Sequence, residues 1–115
     1  MLDLHLMKCV PCHGQVLPLT RDEITSLLPQ VGTWNLVEER GELRLQRRVK
    51  TSGFRGAIKL ANQIAEIAEQ EDHHPSMLVE YGWLTITWWT HAIGGLHKND
   101  FIMAAKTDQL IEDLR

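Results

Sequence analysis

Apolar positions along the chain change their spacing several times, and each change marks an element. Thr20-Arg21-Asp22-Glu23 reads as a capping box: the Thr20 hydroxyl can accept from the amide of Glu23, whose carboxylate can reach back. Ile24, Leu27, Leu28 and Val31 then fall on one helical face. Pro29 and Gly32 hold this helix to about two or three turns. From Trp34 the period drops to two. Trp34 and Leu36 alternate with polar neighbours, and Leu43, Leu45 and Val49 recur at even spacing beyond a turn at Gly41. Arg44, Gln46 and Arg48 take the other face, so the segment predicts a β-hairpin with one apolar side.

A helical period returns with Phe54, Ala57, Ile58, Ala61, Ile64, Ala65 and Ala68, behind Ser52 as N-cap. The alanines allow close approach to a sheet. Pro75 disfavours helical geometry in the residue before it, so this helix ends before His74. Met77, Val79 and Tyr81 alternate, Gly82 turns, and Leu84, Ile86 and Trp88 form one face of a fourth strand. Thr85, Thr87, Trp89 and His91 form its other face. Gly94-Gly95 is a flexible turn before a last helix starting near Asn99-Asp100, where an acid suits the positive helix end. Phe101, Ala104, Ala105, Asp108 and Ile111 share a face of that helix, and Asp108 is its polar interruption. The expected order is α-β-β-α-β-β-α. The fold class is α+β: a four-stranded antiparallel sheet with three helices on one face. Residues 1–19 show no period and read as an irregular arm, and 20–115 as a single domain.

Composition narrows the function classes. With 43% hydrophobic and 23% charged residues the chain is ordinary for a soluble globular protein. A net charge of −3 removes the electrostatic case for nucleic acid. No apolar run approaches the roughly 20 residues of a membrane span. The start, MLDLHLMKC, lacks a secretory pattern, and the expectation is a cytoplasmic protein. Cys9-Val10-Pro11-Cys12-His13 spells C-x-x-C-H, a haem-attachment pattern that would ordinarily need export. Zinc held by Cys9, Cys12, His13 and His5 fits ligand spacing better. An arm with two free thiols is the reading we prefer.

The candidate chemistry gathers around Glu71-Asp72-His73-His74-Pro75-Ser76-Met77. Glu69 and His73 are four apart and share a helical face if the helix runs that far. His74 precedes proline, so its ring points elsewhere. His91 ends a strand, and Asp100 follows nine residues later. Adjacent histidines do not converge on one ion, and no metal site is expected in this cluster. Histidines at a helix end can be solvated polarity and nothing more. Imidazole, however, gives and takes protons near neutral pH. Three imidazoles flanked by Glu69 and Asp100 suit acid–base work.

Ala68-Glu69-x-x-x-His73-His74-Pro75, Tyr81, Thr90-His91, Gly94-Gly95-Leu96 and Asp100, with Trp34 and Phe54-x-x-Ala57, resemble the signature of the pterin-4a-carbinolamine dehydratase family. The resemblance runs from about Thr20 to the C-terminus. It implies dehydration of a 4a-hydroxytetrahydropterin to the quinonoid dihydropterin, with no cofactor. By the same resemblance His73 and His74 are candidates for the acid, and His91 for the base or its partner. Glu69 would then hold His73, and Asp100 would act near His91. Tyr81, Thr90 and Trp89 are the implied substrate contacts. A homodimer or homotetramer is implied too. Relatives that act as dimerisation, assembly or regulatory partners of other proteins supply the alternative function. Ser76 and Ala92 stand where family members often carry an acid, and His97 where a Ser or Thr often caps the last helix.

Overall fold

The Thr20 capping box forms as the sequence predicts. Thr20 Oγ1 accepts from the Glu23 amide at 3.2 Å, and the Thr20 amide donates to Glu23 Oε1 at 2.8 Å. Helix α1 (Arg21–Leu27) then tightens into a 3-10 turn, Leu28–Val31, at Pro29. The structure is a computed structural model and describes residues 3–11 and 16–114.

Strands β1 (Asn35–Glu39) and β2 (Glu42–Lys50) are joined by Arg40-Gly41, both at positive φ (54° and 77°). A two-residue turn of this kind matches the twist of the flanking strands, and glycine makes its second position inexpensive. Helix α2 spans Gly53–Glu71. Strands β3 (Ser76–Glu80) and β4 (Trp83–Trp88) form the second hairpin, and helix α3 (Lys98–Asp113) closes the chain. The order is α-β-β-α-β-β-α and the class α+β. The sheet runs β1-β2-β4-β3, antiparallel throughout, with β2 and β4 at its centre.

Leu45 pairs with Trp88 and Val49 with Leu84 across the central strands. With Ile86 these residues are buried under α2 and α3, and Ile24 of α1 joins the same core. Helix α2 contributes Ala57, Leu60, Ile64 and Ala68. The expected stripe is rotated slightly: Phe54 and Ile58 are exposed and Leu60 is buried instead. Ser52 stands at the N-cap of α2 but its side chain makes no capping bond.

Arg47 alternates with Leu45 and Val49 and so shares their apolar side, which the hydrophobic pattern passes over. Its guanidinium meets Asp108 on α3, and Asp108 also accepts from Trp34 Nε1 at 2.8 Å and Thr33 Oγ1 at 3.2 Å. The polar interruption of α3 is therefore the acceptor that lets the Trp34 indole N–H be buried and Arg47 lie half-buried.

Before α1, residues 3–11 lie along α3. Leu4 is buried within a 3-10 turn (Leu4–Leu6), and Lys106 Nζ donates to the His5 carbonyl at 2.9 Å. Cys12 and His13 lie outside the described residues, so of the cysteine-histidine motif only Cys9-Val10-Pro11 is described. Among the described residues no group of three or more His, Cys, Asp or Glu is disposed to hold a metal ion. No described helix is long and apolar enough to cross a membrane.

Candidate active site

The site is built on the first turn of α3. His97 is the N-cap, and its ring Nδ1 accepts from the Asn99 amide at 3.0 Å. Asp100, at the third helical position, returns the bond: Oδ2 accepts from the His97 amide at 3.0 Å. The same oxygen accepts from Thr90 Oγ1 at 2.8 Å. Asp100 is fully buried. Its charge sits at the positive end of a helix dipole and is met by donors on one oxygen. The other oxygen, Oδ1, is 2.6 Å from His73 Nε2.

His73 reaches Asp100 because of how α2 ends. Asp72 takes a left-handed conformation (φ 50°), and the His73 amide donates back to the Ala68 carbonyl at 3.1 Å. This is a left-handed cap of the type usually occupied by glycine or asparagine. The turn lifts His73 off the helix surface and lays its ring nearly parallel to Trp88, 10° between planes and 5.7 Å between centroids. The expected Glu69–His73 pair is therefore replaced. Glu69 Oε2 lies 2.9 Å from His74 Nε2 instead, and both side chains are largely exposed. Asp100 serves His73 rather than His91.

His91 also differs from expectation. Strand β4 stops at Trp88, Thr90 forms an isolated bridge with Gly95, and His91 opens a 3-10 turn, His91–Ile93. The Gly94-Gly95 return allows this, with Gly94 at φ 64°. The His91 ring rests against Trp89, 4.2 Å between centroids.

His73, His74, Thr90 and His91 nevertheless line one cavity of about 360 Å³. Cys9 and Asn99 line it as well. Trp89 is buried beside a second hollow, shared with Arg44 and His91, and the Arg44 guanidinium lies 3.9 Å over its ring. Tyr81 lies apart from both. Ser76 pairs with Thr87 and Glu80 with Trp83, so the turn carrying Tyr81 is one full strand from His73 and His74. Its side chain is exposed there.

Four groups escape a reading of the sequence: Trp88 beneath His73, and Cys9, Glu71 and Asn99 in the cavity wall. Trp88 fits the core pattern equally well, and the arm that brings Cys9 has no period to read. Burial, with the nearby Glu71 and Asp100 carboxylates, pushes the Cys9 thiol up to about 12, so it stays protonated. Burial also lowers the pKa of His97, against the opposing pull of Asp100. A neutral ring is what its capping role requires, since Nδ1 must keep a lone pair. The cavity thus offers imidazoles and a hydroxyl, with the Asp100 carboxylate buried behind His73 and Thr90, the means for moving protons to and from a bound molecule.

The family model described as pterin 4 alpha carbinolamine dehydratase matches residues 17–110. A protein of Microcystis aeruginosa is 48% identical over 96% of this chain and 95% of its own length. One from Nitrosococcus oceani is 49% identical over 97% of this chain and 99% of its own. Both carry the name "Putative pterin-4-alpha-carbinolamine dehydratase". A crystal structure of a transcriptional coactivator/pterin dehydratase from Brucella melitensis superposes with a TM-score of 0.72 at 30% identity, covering 81% of this chain and 97% of that one.

Proposed function

The chain belongs to the pterin 4 alpha carbinolamine dehydratase family, and from that premise we propose that it dehydrates a 4a-hydroxytetrahydropterin to the quinonoid dihydropterin using the histidines of this cavity as acid and base. In class it is a hydro-lyase. One observation carries the reading: three imidazoles from two separate parts of the chain, His73-His74 and His91, line a single cavity.

The reaction breaks the C4a–O bond heterolytically. Hydroxide is a poor leaving group, so an acid must deliver a proton as the bond opens. N5 loses its proton, and that electron pair becomes the C4a–N5 double bond. One proton is given and one taken, with no change of oxidation state. Positioned groups of this kind contribute roughly 10²–10⁴-fold.

His73 is the best-held of the three. Asp100 fixes its Nε2 and Trp88 fixes the plane of its ring. Its Nδ1 is then the nitrogen left for substrate. His73 and His74 are assigned the protonation of the leaving oxygen, with Glu69 orienting His74. His91 is assigned the N5 proton, and Thr90, anchored on Asp100, the positioning of the pterin edge. Trp89 supports the His91 ring rather than the substrate.

The direct test follows the ultraviolet absorbance of a 4a-hydroxytetrahydropterin as it decays. Purified protein accelerates the decay. An unchanged rate contradicts the proposal and favours a role as a regulatory or assembly partner, in line with the coactivator half of the Brucella protein's name.

A further inference from the structure

Residues 9–11 lie outside the stretch matched by the family model, which begins at residue 17. They nonetheless form part of the wall of the His73 cavity. The fastening is specific. Asn99 is 2% exposed, and its side chain grips Val10 in both directions: Nδ2 donates to the Val10 carbonyl at 2.7 Å, and Oδ1 accepts from the Val10 amide at 3.0 Å. This reproduces the exchange a neighbouring strand would make. Next to it the Cys9 amide donates to Glu71 Oε1 at 2.7 Å. Farther back, buried Leu4 and the Lys106–His5 bond hold the arm on α3.

The two fasteners are placed tellingly. Glu71 ends α2, two residues before His73, and Asn99 immediately precedes Asp100 on α3. The strap therefore ties together the two helix ends that supply the His73–Asp100 pair. What it adds to the cavity differs from what the helices add: Val10, Pro11 and a protonated Cys9 thiol beside His73, His74 and Thr90. A flat heterocycle with a polar edge needs both kinds of surface.

We propose that Cys9–Pro11, clasped by Asn99 and Glu71, is a substrate-binding wall that sets the affinity of this site for the pterin ring. The proposal rests on the dehydratase reading for the identity of its ligand. The strap acts on binding, so its release raises KM by a larger factor than it lowers kcat.

Two variants release it from opposite sides. Val10→Pro removes the amide that Asn99 accepts without altering α3, and Asn99→Ala removes the clasp itself. Fluorescence titration with 7,8-dihydropterin is expected to show affinity weakened about fivefold or more in both. Hydrogen exchange of the peptide covering residues 3–11 is expected to speed up in parallel, and KM for the 4a-hydroxytetrahydropterin to rise by a larger factor than kcat falls. Unchanged affinity in both variants overturns the proposal, whether or not exchange rises. A fall in kcat at constant KM overturns it too, by placing the strap among the reacting groups. Wild-type protein that binds dihydropterin but does not turn over 4a-hydroxytetrahydropterin defeats the dehydratase reading and leaves the wall to be judged by the titration. Wild-type protein that binds no dihydropterin defeats both.

Discussion

Asp100 holds the site together because one buried carboxylate meets three needs. It closes the cap of α3, anchors Thr90 and fixes His73. Losing a donor would leave a buried carboxylate with fewer partners than it needs, which is costly. Cys9 shows the opposite handling of a titratable group. Its thiol pKa rises from 9.0 to about 12, chiefly through burial, so folding disfavours the thiolate. The prediction is that native Cys9 alkylates with iodoacetamide far more slowly at about pH 8 than in the unfolded chain, with peptide mass mapping separating it from Cys12. Equal rates would show the thiol to be accessible and unperturbed. At this scale the sequence singles out His73, His74, His91 and Asp100, and the structure pairs them differently: His73 with Asp100 and His74 with Glu69. Spacing of four between Glu69 and His73 is informative only while the helix continues. The left-handed turn at Asp72 ends it, and an aspartate there announces the turn far less clearly than a glycine would.

Among the elements, α3 carries the most chemistry and has an unusual cap. His97 accepts from Asn99 only while its ring is neutral, and its pKa in the folded protein lies below 6.5. Protons therefore bind the unfolded chain first as pH falls. The stability from this cap is whole above about pH 6.5 and is lost as pH drops towards the folded pKa. Asp100 and His73 are the titratable neighbours of this ring: Asp100 opposes the shift and His73 adds to it. His97→Asn keeps a capping acceptor that does not titrate. Urea melts between about pH 7.5 and 5 are expected to show a shallower loss of stability for the variant than for wild type. Identical slopes would remove His97 from the pH response. On the other side of α3, Asp108→Ala strands Trp34 Nε1 and the Arg47 guanidinium together, an expected loss of about 2 kcal/mol. Asp108→Asn retains an acceptor and is expected to cost less; equal costs would argue against the network. Periodicity found the four strands and three α-helices because most positions simply divide between core and solvent. Arg47 was hidden because its partner lies 61 residues away. The arm was hidden because backbone-to-side-chain bonds leave no hydrophobic rhythm. The separation of Tyr81 from the cavity follows from counting alone, since a five-residue strand lies between it and His74-Pro75.

In the molecule as a whole the sheet has two open edges, β1 and β3. Leu78 on β3 and Tyr81 beside it are both largely exposed. Unpaired edges with apolar residues invite a partner strand. Sedimentation velocity at micromolar concentration is expected to show a dimer or tetramer of this chain, and a monomer throughout would contradict that expectation. The central claim is narrower: a histidine locked by Asp100 moves a proton that the reaction requires. The decisive measurement is the turnover of a 4a-hydroxytetrahydropterin by His73→Ala, compared with wild type at equal folded concentration by circular dichroism. The account predicts kcat lowered about tenfold or more with the fold intact. A folded His73→Ala protein that dehydrates the pterin at the wild-type rate would contradict it.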